Sequence, residues 1–473
     1  MQTSQLARLL IVFFSGFACA GKNPEGTLND EAINDSIIIE KTVADSFPPG
    51  KVISRVICKD DPAQSYALYL PLKGNGEALP VLYFFDPHGD GSFPLGKYTA
   101  LADKYNFILI GSNNSKNGND WTVTEAIWNN LYGDSQKRLM INKTRIYTCG
   151  FSGGAKVAGY VGLTHHEVQG IIANGAGLPD ERQADNFNFS FTALAGEGDM
   201  NMTDLVTFDA RLDKTQTRHR IIFFEGKHEW APKNAMNIAF EGLQLDAMHN
   251  KTIPGDDGFI SNFAADSKKR IDNYLKENNP IAAEQECKLS VSMLDGLGRN
   301  ANWFRQEDAL LKTNAVYKKQ YRAKQNLLAS EQEFKKIYSQ KFEQGDANYW
   351  SNTIKDLQSK ATLPAAQGGM YQRLLAYLSL AFYSISNQMV KGNRNEDAAY
   401  FVSLYKMADS TNSEAWYLSA IVNARGNNAN DTHNDLLKAV AYGFTDKNRM
   451  MQQPEFRNLG TQLNLTEIQR KMK

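Results

Sequence analysis

The 473-residue chain changes its pattern of apolar and polar residues about halfway along. Up to Met248, short apolar runs such as Leu79–Phe85 alternate with longer amphipathic stretches, a pattern that predicts strands alternating with helices. This alternation predicts an α/β fold with a mostly parallel sheet, in which ligands bind at the carboxyl ends of the strands. Strand signals almost vanish after a turn-rich segment at 249–258. We therefore expect an α/β domain over 51–248, a linker at 249–258 and a helical domain over 259–473.

The same patterns predict the individual elements of the first domain. Residues 52–58 and 65–70 are expected to form a hairpin, and 98–105 and 127–139 to form helices. The polar, turn-forming run 112–121 predicts a loop at the carboxyl edge of the sheet.

The run 145–162 contains the most informative motif. Gly150, Ser152 and Gly154 match G-x-S-x-G between a short apolar strand and a helix, and the glycines of this motif allow strand and helix to approach closely. Ser152 is the candidate nucleophile. The alternative, a buried strand-end serine bonded to backbone, explains neither the flanking glycines nor the helix.

A serine hydroxyl is a poor nucleophile until a base takes its proton, and the chain has only seven histidines to supply one. His228 lies in a loop after the apolar run 220–224 and is the candidate base. The structural alternative for His228 is a half-buried ring packed on Trp230.

A histidine base needs a carboxylate to orient it, and Asp199 follows the apolar run 189–195. Asp199 is the candidate acid, with Glu197 and Asp204 as alternatives close by. It could also merely cap the helix that is expected to start near Met202. The chain order Ser, Asp, His is that of α/β-hydrolases.

Two backbone N–H groups are expected to bind the developing oxyanion. Gly153, the residue after the candidate nucleophile, supplies one of them. The second is expected from the loop His88-Gly89-Asp90-Gly91, which resembles the HGGG-type loop of lipases and esterases. Because Asp90 stands where a glycine is usual, the sequence leaves open which of these amides points inward.

The run GFSGG and the element Gly226-Lys227-His228-Glu229-Trp230-Ala231-Pro232 make the region 52–248 resemble α/β-hydrolases of the esterase and dienelactone-hydrolase-like group. Secreted feruloyl-esterase-like and polyhydroxybutyrate-depolymerase-like enzymes are the most similar. The resemblance implies a serine hydrolase that cleaves carboxylic esters through an acyl-enzyme, with no cofactor and no metal. A peptidase on the same residues and a non-catalytic scaffold with a remnant site are the alternatives.

Two tryptophans are candidates for substrate contact. Trp121, at the end of the predicted loop 112–121, could offer a stacking platform to a sugar or phenolic group. An equal alternative is that Trp121 only anchors a solvated loop. Trp230 lies two residues after the candidate base. The substrate itself is expected to be a small or polymer-linked ester.

The C-terminal region resembles tetratricopeptide-type helix pairs, because small and aromatic residues recur at helix-stacking positions from Tyr400 to Gly443. Such repeats bury their faces against neighbours, which predicts a helical solenoid. It could brace the enzyme or bind a protein partner.

The balance of charge disfavours a nucleic-acid-binding function. The 52 basic and 52 acidic residues balance, so no net field favours nucleic acid or an anionic membrane surface.

The amino terminus predicts export. Arg8 precedes an apolar run too short to span a bilayer, so 1–19 reads as a signal peptide and 20–50 as a polar lead-in. Cys19 is a possible lipid anchor, and plain cleavage is the alternative. The protein is therefore expected in the periplasm, at the outer surface or outside the cell. Export permits a disulfide, for which Cys58 and Cys287 are the candidates.

Overall fold

The computed structural model describes residues 46–74, 76–179, 186–298, 300–344, 347–363 and 365–472. Its tertiary contacts divide the chain into two compact units that meet at residues 323 and 324 of the sequence.

An eight-stranded sheet forms the centre of the first unit, in the order β1-β2-β4-β3-β5-β6-β7-β8. β2 pairs antiparallel with β1 and β4, and all pairs from β3 to β8 are parallel. The strands are β1 (Ile53–Ile57), β2 (Ser65–Tyr69), β3 (Leu79–Phe85), β4 (Ile108–Ser112), β5 (Ile141–Phe151), β6 (Val168–Asn174), β7 (Ser190–Gly196) and β8 (His219–Phe224). This topology confirms the predicted α/β-hydrolase architecture.

Among the described residues, eight helices lie wholly within the first unit: α1 (Ser92–Tyr105), α2 (Trp121–Arg138), α3 (Gly153–Thr164), α4 (Met202–Leu212), α5 (Lys233–His249), α6 (Asp257–Lys276), α7 (Pro280–Leu294) and α8 (Asn300–Thr313). Helix α2 starts six residues before the predicted 127, because Asp120 caps it by accepting a hydrogen bond of 2.8 Å from the Val123 N–H. Trp121 therefore begins a helix instead of ending a loop.

The first compact unit extends well beyond the expected boundary at 249–258. Phe263 and Ile271 of α6, Cys287 of α7 and Phe304 of α8 are buried in the same apolar core as Phe240 of α5. Burial of these side chains joins α6 to α8 to the sheet domain, so the segment 249–258 connects α5 to α6 inside one unit. The predicted linker does not separate the two units.

The second unit covers Lys324–Lys473 and is helical in its described residues. Its core contains a cluster of aromatic rings in which Trp350 stacks on Phe342 at 4.3 Å and meets Phe382 edge-on at 5.5 Å. Consecutive helices pack in pairs, α11 (Ala365–Lys391) with α12 (Asn395–Ala408) and α13 (Ser413–Arg425) with α14 (Ala429–Ala441). The other helices in the described part of the chain are α9 (Ala315–Gln344), α10 (Ala347–Lys360), α15 (Lys447–Gln452), α16 (Pro454–Asn458) and α17 (Leu465–Lys471), with a 3₁₀ turn at Gly460–Gln462. The tetratricopeptide-like character and a protein partner stay predictions.

Cys58, Cys149 and Cys287 are free and buried. The disulfide considered between Cys58 and Cys287 is therefore not formed, because the two thiols pack separately, Cys58 after β1 and Cys287 on α7. Burial raises the pKa of the Cys149 thiol well above its usual range, which agrees with a packing role in β5.

The predicted signal peptide 1–19 with Cys19 and most of the lead-in 20–50 lie outside the described residues. Within the described part of the chain, no helix has both the length and the apolar character needed to cross a membrane.

Candidate active site

Ser152 occupies a sharp turn between β5 and α3. Its backbone has φ 54° and ψ −119°, a conformation that costs a non-glycine residue about 1–3 kcal/mol. The Ser152 N–H donates to the Asn174 carbonyl at 2.9 Å, and the Ser152 carbonyl accepts from the Ala155 N–H at 3.0 Å. These bonds to β6 and α3 hold the strained turn at the carboxyl edge of the sheet.

Glycines beside Ser152 are required by close packing. A Cβ atom built on Gly150 would lie 2.0 Å from the carbonyl oxygen of Gly154, and one built on Gly154 would lie 1.9 Å from the carbonyl oxygen of Phe85. Side chains at either position would collide with backbone. The G-x-S-x-G pattern therefore corresponds here to three elements, β3, β5 and α3, meeting at one point.

The structure brings Ser152, His228 and Asp199 together although they lie far apart in sequence. His228 Nε2 is 2.9 Å from Ser152 Oγ, and His228 Nδ1 is 2.9 Å from Asp199 Oδ2. Both distances are those of good hydrogen bonds. A proton on Nδ1 held by the carboxylate leaves Nε2 free to accept the serine proton.

Asp199 is the carboxylate at the imidazole. It is 0% exposed, and its second oxygen accepts a hydrogen bond of 2.8 Å from the Asn201 N–H. The neighbouring acids Glu197 and Asp204 are exposed. Asp199 therefore both orients the ring and closes the turn before α4, which combines the two interpretations that the sequence left open.

Asn174, which the sequence analysis did not identify, ties the histidine loop to the serine turn. It is fully buried at the end of β6, where its Oδ1 accepts from the Ala231 N–H at 2.7 Å and its Nδ2 donates to the Glu229 carbonyl at 3.2 Å. Its own carbonyl accepts the Ser152 N–H. The available signal was an asparagine that ends an apolar strand, where a buried amide needs partners.

Trp230 supports the site from inside the core. It is 4% exposed and packs on Phe84 and Tyr98, with ring centroids 6.0 and 6.2 Å away. Its indole N–H donates to Asp86 Oδ2 at 2.9 Å. The predicted substrate contact of Trp230 is therefore wrong, because its ring is buried and its one donor is used.

Asp86, also missed by the sequence analysis, joins the loop after β3 to the histidine loop. Burial alone would raise the pKa of Asp86, but hydrogen bonds from His88 and Trp230 outweigh it and hold the pKa below its usual range. The lowered pKa keeps the Asp86 carboxylate charged at neutral pH.

The predicted oxyanion loop uses two of its amides internally. The His88 N–H donates to Asp86 Oδ1 at 2.8 Å, and the Gly89 N–H donates to the Asp86 carbonyl at 3.1 Å. The Asp90 carboxylate caps α1 by accepting from the N–H groups of Ser92 and Phe93, each at 3.1 Å. The expectation that His88 or Gly89 donates to an oxyanion is therefore not supported, whereas the amide of Asp90, the third candidate, stays a prediction.

Gly153 is the first residue of α3, so its N–H has no acceptor within the helix. Of the amides expected to bind an oxyanion, Gly153 is the one adjacent to the nucleophile.

Trp121 stacks on Tyr160 of α3, with centroids 4.8 Å apart and planes 14° from parallel. One face of the indole is thus occupied by the protein, which favours the anchoring alternative over a substrate platform.

Among the residues that the structure describes, no group of three or more His, Cys, Asp or Glu side chains is placed to hold a metal ion.

Comparison with known proteins gives no family that matches the chain and no match among curated proteins. Solved structures do match, at low identity. An esterase of Pyrobaculum calidifontis is 11% identical, with 42% of this chain and 85% of that chain covered and a TM-score of 0.33. Esterase 2 of Thermogutta terrifontis is 12% identical, with 45% and 98% covered and a TM-score of 0.34.

An acylaminoacyl peptidase of Pyrococcus horikoshii is 13% identical, with 42% of this chain covered and a TM-score of 0.31. This chain spans 41% of the length of that peptidase. Because these TM-scores are low, any inference about function depends on the strand order and the site geometry of this chain.

Proposed function

We propose that the protein is a serine hydrolase that cleaves carboxylic esters through an acyl-enzyme. The observation that supports this most strongly is the continuous hydrogen-bonded series from Ser152 through His228 to the buried Asp199. A nucleophile on a strained turn, a base and an orienting acid are the parts that ester hydrolysis needs.

In the proposed cycle, Ser152 Oγ attacks the ester carbonyl carbon while His228 Nε2 takes the hydroxyl proton. The tetrahedral intermediate places its negative oxygen near the Gly153 N–H. It collapses when the alkoxide leaves with the proton from Nε2, and the acyl group stays on Ser152. Water then attacks the acyl carbon as His228 takes its proton, and the acid is released with Ser152 restored.

Labelling with a fluorophosphonate tests this proposal directly. We expect the wild-type protein to be labelled and to hydrolyse p-nitrophenyl acetate, and we expect Ser152→Ala to lose both. Ser54→Ala, which changes an exposed serine on β1, is the matched control and should retain both. A folded wild-type protein that neither labels nor hydrolyses esters would overturn the proposal and leave the scaffold alternative.

For substrate class we propose esters linked to polysaccharides or polyesters, supported by the late Gly-x-His-x-Trp-x-Pro element in the sequence. A panel of nitrophenyl, feruloyl and acetyl-sugar esters, with matched amides, tests this. Faster cleavage of the amides would favour the peptidase alternative.

We also propose that the protein is exported and that Cys19 carries a lipid, supported by Arg8 and the apolar run that follows it. Metabolic labelling with an alkyne fatty acid, compared between wild type and Cys19→Ser, tests the anchor. Signal cleavage without incorporated lipid would leave a freely secreted protein.

A further inference from the structure

Asn117 lies against the residue that follows the nucleophile. A Cβ atom built on Gly153 would be 1.8 Å from Asn117 Oδ1 and 3.5 Å from Asn117 Nδ2. The carboxamide of Asn117 therefore sits next to the Cα atom of Gly153. A larger residue at position 153 would have to displace this side chain.

The other asparagines of this loop, between β4 and α2, build the loop itself. Asn113 Nδ2 donates to the Ser54 carbonyl at 3.0 Å, Asn114 Oδ1 accepts from the Ser65 N–H at 2.9 Å, and Asn119 Nδ2 donates to the Asn114 carbonyl at 3.1 Å. Each of these amides is thus committed to a backbone partner.

Asn117 differs from its neighbours. Its backbone N–H donates to the Pro87 carbonyl at 2.8 Å, which ties the two rim loops together. Its side-chain amide makes no hydrogen bond to any residue that the structure describes, and it is exposed. The backbone of Asn117 is therefore fixed, whereas its side-chain amide is available to a ligand.

The site has a need that this amide can meet. An oxyanion is best stabilised by two donors, and the His88 and Gly89 amides are already used inside their own loop. The Gly153 N–H and the carboxamide of Asn117 both lie close to the Cα atom of Gly153, so we infer that an oxygen bound at this N–H is within reach of the amide. A half turn about the last torsion of the side chain exchanges its oxygen and nitrogen, so the group can present an N–H there.

We propose that Asn117 is a catalytic residue whose Nδ2–H donates to the ester carbonyl oxygen as it becomes an oxyanion, together with the Gly153 N–H. This inference rests on the proposed ester hydrolysis at Ser152. A donor of this kind acts on the charge that develops in the transition state, so its loss should lower kcat and leave KM little changed.

The test compares Asn117→Ala and Asn117→Asp with wild type on p-nitrophenyl acetate. Loss of one oxyanion donor elsewhere costs about 10²–10³ in kcat, and we expect a loss of that size in Asn117→Ala with KM within about threefold. Asn117→Asp keeps the shape but loses the donor and adds a negative charge, so it should be at least as slow. Lys116→Ala, an exposed neighbour, is the matched control and should equal wild type.

A second measurement separates this role from a structural one. A trifluoromethyl ketone forms a tetrahedral adduct with a serine and carries the same oxyanion. Its affinity should fall across the variants in proportion to kcat/KM, while thermal melting stays close to wild type.

Active wild type with an Asn117→Ala variant of equal kcat would overturn this inference alone. So would a loss confined to KM. A wild type with no activity and no Ser152-dependent labelling would overturn both this inference and the proposed function, and the two failures are therefore distinguishable.

Discussion

The loops after β6, β7 and β8 differ from those after β3 and β4 in the exposure of the polar side chains that they place near Ser152. In the first group Asp199 and Asn174 are buried and fully hydrogen-bonded. In the second group His88 is 83% exposed in its side chain, and Asn117 is exposed with a free amide. In the proposed mechanism, the proton-transfer side of the site is therefore fixed before a substrate arrives, whereas the oxyanion side is completed by the substrate.

Contact with water explains why the two groups of loops differ in hydrogen bonding. A buried polar group without a partner costs about 1–3 kcal/mol, so the loops that bury Asp199 and Asn174 must satisfy them within the protein. An exposed amide such as that of Asn117 is satisfied by water and can exchange it for a substrate oxygen. We therefore expect changes on the buried side to disturb the orientation of the reacting groups, and Trp121 to act only in packing.

The largest effect is expected for Asp199→Asn. An amide at this position cannot hold the same tautomer of His228, and the corresponding change in a serine protease lowers kcat about 10⁴-fold. We expect a similar loss of kcat on p-nitrophenyl acetate with little change in KM.

Asp204→Asn is the control for this prediction, because Asp204 is a nearby exposed acid. If Asp204→Asn were the slower variant, the assignment of the acid would be wrong.

Asn174→Ala should affect both stability and rate. It leaves the Ala231 N–H and the Glu229 carbonyl without their buried partner, at a cost of about 3 kcal/mol in the free energy of unfolding. Displacement of the His228 loop should lower kcat about 10²-fold. Guanidinium denaturation and steady-state kinetics measure the two effects.

Asn129→Ala, on the exposed face of α2, is the matched control and should change neither quantity. A destabilised Asn174→Ala variant with a wild-type kcat would mean that Asn174 stabilises the fold without positioning the base.

Asp86→Asn should lower the free energy of unfolding at pH 7 by about 1–2 kcal/mol, since it weakens charge-assisted bonds from His88 and Trp230. Because the pKa of Asp86 is lower in the folded protein than its usual 3.8, the charged carboxylate stabilises the fold above that pH. This contribution is lost as the pH falls through the folded-state pKa. The difference between wild type and variant should therefore shrink below pH 3.8.

Denaturation curves at several pH values measure this difference, with Asp266→Asn on the exposed face of α6 as the control. A difference that stays constant down to the lowest pH would contradict a role for the charge of Asp86.

The smallest effect is expected for Trp121→Ala. Its stacking on Tyr160 should contribute about 1 kcal/mol to stability, measured as the coupling in a double-mutant cycle with Tyr160→Ala. KM for aromatic esters should change little. A large rise in KM for feruloyl esters alone would restore the substrate-platform interpretation.

Local sequence was sufficient for the serine turn and for a short set of candidate partners, among which the structure selects Asp199 over Glu197 and Asp204. Gly150, Ser152 and Gly154 form a contiguous motif, and Asp199 and His228 each follow an apolar strand whose carboxyl end lies at the same edge of a parallel sheet. Their approach to hydrogen-bonding distance follows from that topology. The strand order likewise agrees with the fold that the motifs predict.

The supporting residues could not be predicted in the same way. Asp86 and Asn174 are hydrogen-bonded to Trp230 and Ala231, which lie 144 and 57 residues away in sequence. The carboxamide of Asn117 lies next to Gly153, 36 residues away. The type and position of these three residues carry only a weak signal, because an Asp or Asn at or after the end of a strand is also an ordinary turn residue.

The amino-acid sequence by itself determined the alternation of strands and helices, the strained serine turn and the order of the reacting side chains, since each of these depends on neighbouring residues. The tertiary structure alone decided that α6 to α8 belong to the sheet domain, that Trp230 faces the core and that the His88 loop uses its own amides. Burial and hydrogen-bond partners depend on which surfaces meet after folding. An amphipathic pattern shows that a face will be buried but not against what.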